Sequence, residues 1–229
     1  MIKQILKRAI RSIPLWRNWN SFHHTWEYVG FFKFLRFQLF PFFPKKKYFP
    51  YDKNSIVYGN VIVGKNCKVT QRGGCYIQGW GKLFLGDYVE VTQNCIIISQ
   101  NHNLLNQDRH VPKETIIGDH CWIASNACIM AGVVLGPRTV VGAGSVVTKS
   151  FPEGYCLIAG NPARFIKEIP KEQFCPKHYK TEMYGYIPEH SFKNYAQQHL
   201  QTVKFHYDLR KVTSNELLIE LFMSDEISK

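Results

Sequence analysis

Apolar residues recur every six positions through the middle of the chain. From Ile117 the series runs Ile117, Ile123, Ile129, Leu135, Val141, Val147 without a slip. Glycine or alanine follows directly at Gly118, Ala124, Gly136 and Gly142. Four residues after the apolar position stands a small or β-branched residue: Cys121, Ala127, Val133, Thr139 and Ser145, until Phe151 ends the series. Two earlier ladders keep the same step but are out of phase with one another: Val57, Val63, Val69 and then Leu85, Val91, Ile97. Irregular turns are expected between them. A step of six fits neither the 3.6 of an amphipathic helix nor the 2 of a half-exposed strand. It fits a three-sided solenoid whose walls each turn one apolar residue inward and whose corners are made by small residues. Three steps of six close one coil, so residues 117–152 hold two coils. Each coil should add about 4.8 Å along the axis, the spacing of neighbouring strands. Cys67, Cys95 and Cys121 fall in the small-residue slots, where a free thiol packs like a small hydrophobe.

Between Ile97 and Ile117 the rhythm stops. The stretch ISQNHNLLNQDRHVP, residues 98–112, carries two histidines, an arginine and three asparagines. It reads as a loop over residues 99–115 that leaves the coil at Ser99 and rejoins it at Ile116 or Ile117. His102 stands at its exit and His110 deeper in it. A further histidine, His120, falls at a corner of the repeat and is expected to face solvent.

The ends follow other patterns. Ile2, Ile5, Leu6, Ala9, Ile10 and Ile13 form the stripe of an amphipathic helix, and Pro14 ends it. After Pro170 the sixes vanish, and parts of residues 170–229 read as helical, with Ser214 as an N-cap before Leu217, Leu218, Ile219, Leu221 and Phe222. Three regions are expected: an N-terminal extension over 1–54, the repeat domain over 55–169, and a C-terminal extension over 170–229.

Charge changes the picture at one end. The formal net charge is +12, and residues 1–50 hold ten Lys/Arg against one acid, Glu27, which is +9 of it. Fourteen of the thirty-three aromatic residues lie in the same stretch. Basic, aromatic and amphipathic together suit contact with an anionic membrane surface; a helical cap on the solenoid end fits the same pattern. Lys3, Lys7, Arg8 and Arg11 break any signal-peptide core, and no window reaches the roughly 18 uncharged apolar residues of a spanning helix. Seven cysteines without dense spacing or CxxC zinc pairs indicate a reducing compartment. The expected location is cytoplasmic, at the inner face of the cell membrane if the extension binds it.

The stretch IIGDHCWIASNACIMAGVVLGPRTVVGAGSVVTKSFPEGYCLIAGNPARFIKEI resembles the hexapeptide-repeat acyltransferases, the family of galactoside and maltose O-acetyltransferases and of the enzymes that O-acetylate bacterial surface polysaccharides. The resemblance covers roughly residues 55–169 and is densest from Ile116 to Ile169, where GDHCWIA, GAGSVVTKS and AGNPARFIK follow in family order. It implies a mainly β fold, a left-handed parallel β-helix with helical N- and C-terminal extensions. It also implies acetyl-CoA as acyl donor, a carbohydrate acceptor and a homotrimer with sites between subunits. His102 takes the place of the family's catalytic histidine. Ser125, Ala143, Thr148 and Lys149 take the places of cofactor contacts, with Arg164 near the phosphates and Lys167 a further candidate. Trp122 would pack near the cofactor or on a neighbouring subunit.

The chemistry of these residue types agrees. Attack of a hydroxyl on a thioester needs a base, and a neutral imidazole suits it because an ordinary imidazole titrates near pH 6.5. Lys149 and Arg164 can meet phosphate charge, and Ala143 has no bulk to block a pantetheine arm. Asn101, Asn103 and His110 are candidate substrate contacts; the asparagines are equally turn formers. The expected function is acetyl transfer to a sugar hydroxyl of a bacterial surface glycan or its precursor. The alternative is N-acetylation of an aminosugar or xenobiotic. A metal-binding solenoid of the γ-carbonic anhydrase type would need three converging histidines, and His102, His110 and His120 show neither close pairing nor a shared face in sequence. No metal is expected, and no nucleic-acid motif accompanies the basic N-terminus.

Overall fold

The computed structural model describes Leu35 and residues 47–70, 72–177, 179 and 181–227. The expected N-terminal amphipathic helix and membrane-facing stretch lie outside these residues, Leu35 and residues 47–50 aside. Within them the chain winds into the expected three-sided parallel solenoid. On the first wall Val57, Ile77, Ile97, Ile129 and Val147 stack in register. On the second, Val63, Leu85, Ile117, Leu135 and Phe151 do so. On the third, Val91, Ile123, Val141 and Ile158 stack beneath Val69. All of these but Phe151 are buried. Ile77 belongs to neither early ladder, because the irregular corners at Thr70–Cys75 and Gly79–Lys82 shift the phase on either side of it.

The regular coils obey the predicted length: Ile129 pairs with Val147, eighteen residues on. Ile97 pairs with Ile129, thirty-two residues on, so one coil carries fourteen extra (32 − 18). Most strands are only two or three residues long, because each wall needs one inward side chain before the chain turns. The turn falls on the third residue after the inward one. Asn66, Tyr88, His120 and Arg138 occupy that place at the corner from the second wall to the third, all with φ between 50° and 59°. One coil therefore stacks upon the next: the Tyr88 and His120 rings lie parallel, 4.8 Å apart, the spacing of the strands that carry them. His120 is half-buried in this column, not the solvent-facing corner residue that the sequence suggested.

The second wall is covered by the C-terminal extension. Ile62, Phe84 and Ile116 alternate with inward residues and so point outward, yet all three are buried. The Phe205 ring meets Phe84 edge-on at 5.6 Å. Helix α1 (Glu189–His199) and helix α2 (Glu216–Phe222) complete this cover. Phe192 of α1 stacks on Tyr184 at 3.8 Å, and Tyr48 packs against Phe192. The N-cap of α2 is Asn215, whose Oδ1 accepts the Leu218 amide, not Ser214. Ser214 gives both its amide and its hydroxyl to Asp119 Oδ2, at 2.9 and 3.4 Å, so its side chain is engaged by the solenoid.

A buried carboxylate ladder ties the cover to the solenoid. Asp87 Oδ1 accepts the Lys65 amide and Asp119 Oδ1 accepts the Asp87 amide, each at 2.8 Å and each one coil apart. Asn215 Nδ2 donates to both Asp87 oxygens and to the Tyr184 hydroxyl. Burial, and then the charge of Asp119, pushes the Asp87 carboxyl up to about 7. Burial raises Asp119 as well.

Candidate active site

The fourteen extra residues form an antiparallel hairpin, Gln100–His102 paired with His110–Pro112, where the sequence suggested a loop. Its neck is built on Ser99, which is fully buried. Ser99 donates its amide and hydroxyl to Gln78 O, and its Oγ accepts the Gly81 amide, all at 2.9 Å. The Lys113 amide closes the neck on Ser99 O at 2.8 Å. A side chain at Gly81 would lie 1.9 Å from Ser99 O, so only glycine lets the two strands leave the coil here. The chain rejoins at Thr115, a little earlier than expected, and Thr115 Oγ1 bonds back to Ile98 O.

His102 is exposed on the hairpin. Its Nδ1 lies 2.9 Å from the carbonyl oxygen of Gln107. A carbonyl only accepts, so in this bond Nδ1 carries the proton, and in the neutral ring Nε2 keeps its lone pair. That is the tautomer a general base needs. His110 sits directly across the hairpin, with ring centroids 4.6 Å apart. The eight-residue separation in sequence concealed this close pairing. His120 lies on a different corner, so the three histidines do not converge.

Asn103 Oδ1 accepts the Leu105 and Asn106 amides. The oxygen expected to meet substrate is thus used to fold the hairpin tip, because the tip amides have no strand partner. Asn101 pairs in register with Val111, half-buried. Leu104 and Leu105 stand almost wholly exposed at the tip.

The cofactor candidates fall on three places. Ser125 and Ala143 hold equivalent positions on successive coils at the corner from the third wall to the first, and the Gly144 amide bonds to Ser125 O at 2.9 Å. Ser125 Oγ is 3.2 Å from Thr92 Oγ1. Thr148 and Lys149 follow Val147 at the other edge of the first wall, the edge that carries the His102 hairpin two coils earlier. Arg164 and Lys167 are exposed on the strand Ala163–Glu168, which folds back antiparallel on Cys156–Gly160. Within one chain the first wall therefore separates Ser125 and Ala143 from His102, Thr148 and Lys149. That wall is apolar and open: Ile56, Tyr58 and Ile96 are 40–49% exposed, and Tyr58 stacks on Trp80 at the adjoining corner.

Residues 114–149 match the family model described as bacterial transferase hexapeptide (six repeats). This segment is a bacterial transferase hexapeptide repeat. Over 139 residues the chain is 34% identical to the galactoside O-acetyltransferase of Escherichia coli, covering 56% of this chain and 62% of that one. Over 81 residues it is 37% identical to a "Probable macrolide acetyltransferase" of Lysinibacillus sphaericus, covering 35% and 44%. The chain thus spans about half of the length of these curated relatives. A crystal structure of a hexapeptide-repeat acetyltransferase from Vibrio cholerae, complexed with acetyl coenzyme A, superposes with a TM-score of 0.50 at 20% identity over 72% of this chain and 89% of that one. The shared fold is the left-handed parallel β-helix that the motifs implied.

One cavity escaped the sequence reading, which names two of its residues, His120 and Trp122, only separately. Tyr88, Glu90, His120, Trp122, Arg138, Phe174 and Lys177 line a cavity of about 290 Å³ on the third wall and its corner. A signal existed: the corner positions Tyr88, His120 and Arg138 are large, whereas a corner that only turns the chain takes glycine or asparagine.

Proposed function

We propose that the chain transfers an acetyl group from acetyl-CoA to a sugar hydroxyl of a bacterial surface glycan or its precursor, with His102 as general base. The observation that carries this reading is the hairpin itself. It interrupts an otherwise smooth solenoid to present an imidazole whose Nδ1 is held by Gln107 O and whose Nε2 is available. The similarity to named acetyltransferases supports it. Nε2 takes the proton of the attacking hydroxyl as oxygen bonds to the thioester carbon. Collapse of the tetrahedral intermediate expels the thiolate, and the imidazolium returns the proton to sulfur. Ser125, Ala143, Thr148 and Lys149 bind the donor, Arg164 and Lys167 meet its phosphates, and Asn101 and His110 contact the acceptor.

The separation of these residues by the first wall supports a homotrimer, in which an edge of one subunit completes the site of the next. The open apolar side chains of that wall fit burial between subunits. The basic, aromatic N-terminal extension suits the inner face of the membrane, where it would bring the enzyme to a lipid-linked acceptor. O-acetylation is preferred to N-acetylation because an alcohol gains more than a neutral amine from a positioned base.

A thiol-release assay tests the reading. Wild-type protein with acetyl-CoA should liberate CoA in the presence of glycan-derived sugars. Release with free amines and not with alcohols would overturn O-acetylation, and no release with either would overturn acetyl transfer. Trimer mass in solution tests the assembly; a monomer with full activity would overturn it.

A further inference from the structure

The cavity on the third wall lies apart from the His102 hairpin, which projects from the corner between the first and second walls. Its construction is specific. Tyr88 donates its hydroxyl to Glu182 Oε1 at 2.6 Å, which fixes the ring that stacks on His120. Phe174 meets the other part of this wall twice, edge-on to His120 at 5.0 Å and over the Arg138 guanidinium at 4.5 Å. Trp122 remains 47% exposed beside them. Three charged groups converge on these rings. Glu90 is paired with Lys177 and Lys68, which leaves the rim with an excess of positive charge once Arg138 is counted. Among the described residues the Arg138 guanidinium lies over Phe174, and its Nε is buried without any hydrogen-bond acceptor.

An exposed indole beside a few convergent polar groups is a place for a ring that is apolar on its faces and polar on its edge. The size limits the choice. About 290 Å³ lies at the lower bound of small-molecule sites, roughly 300 Å³, so it holds one ring, not a nucleotide or a whole coenzyme. The free guanidinium edge narrows the class further, since a carboxylate is the group that takes two of its N–H donors at once. We propose that this cavity binds one acidic sugar residue of the acceptor glycan. The pyranose face packs on Trp122, its hydroxyls meet Glu90 and Lys177, and its carboxylate meets Arg138. From the proposed reaction this takes only the role of that sugar as acceptor; the binding stands by itself.

The test uses the full chain and two probes, methyl β-D-glucuronide and methyl β-D-glucoside, followed by saturation-transfer NMR titration. The glucuronide should bind saturably and at least tenfold more tightly than the glucoside. Trp122→Ala and Arg138→Gln should each weaken it at least tenfold, with circular dichroism unchanged. The exposure of Trp122 keeps the test intact should the corner variant at Arg138 misfold. Absence of saturable glucuronide binding, equal binding of the two probes, or unchanged binding to both variants would overturn the proposal. A parallel titration with acetyl-CoA separates this outcome from failure of the acetyl-transfer reading. A protein that binds acetyl-CoA but not the glucuronide retains the reaction and lacks the subsite.

Discussion

The first and second walls are built alike and end differently. Each alternates an inward rung with an outward apolar side chain. On the second wall Ile62, Phe84 and Ile116 are sealed by Phe205 and the C-terminal helices. On the first, Ile56 and Ile96 in the same outward places stay 47% and 40% exposed. The hexapeptide pattern fixes only the inward rungs. What happens outside a wall depends on which other segment reaches it, so one solenoid offers both a closed wall and an open one.

The largest effects should come from breaking the closed wall. Phe205→Ala removes a fully buried ring and should cost about 3–5 kcal/mol of unfolding free energy, measured by urea denaturation. Next comes the carboxylate ladder beneath the cover. Asp87 titrates at about 7 in the fold against 3.8 for a free carboxyl, so the folded state holds the proton more tightly. Its contribution is greatest below pH 4 and is lost as pH rises to 7, an upper bound of about 4 kcal/mol. Melting temperature should therefore fall between pH 4.5 and 7.5 in wild type and fall less in Asp87→Asn; parallel curves would contradict this. Asn215→Ala removes the cap of α2 and two bonds to Asp87, and should cost at least about 1–2 kcal/mol. On the open wall, Ile96→Ser should change the stability of the isolated subunit by about 0.5 kcal/mol or less. If it destabilised the subunit as much as Phe205→Ala, the contrast between the walls would collapse.

The sequence made the inward rungs legible because a solenoid repeats one local solution, and each apolar residue announces itself at a fixed step. Ile77 was lost where two corners take extra residues. The hairpin was visible only as an interruption, since its strand pairing joins residues whose side chains carry no alternating pattern. The His102–His110 pair is a product of that pairing. The C-terminal cover was illegible because its order comes from the solenoid it packs on: Ser214 would cap α2 by pattern, but Asp119 engages its hydroxyl as well as its amide. The cavity on the third wall arises from corner residues stacking between coils, a neighbour relation eighteen or more residues long.

The central claim is that the hairpin supplies the base for acetyl transfer. His102→Ala tests it most directly, with acetyl transfer and acetyl-CoA binding measured on the same preparation. The exposed position of His102 predicts an unchanged fold and retained acetyl-CoA binding, with turnover lowered by about 10²–10⁴-fold. Turnover within a factor of two of wild type would contradict it.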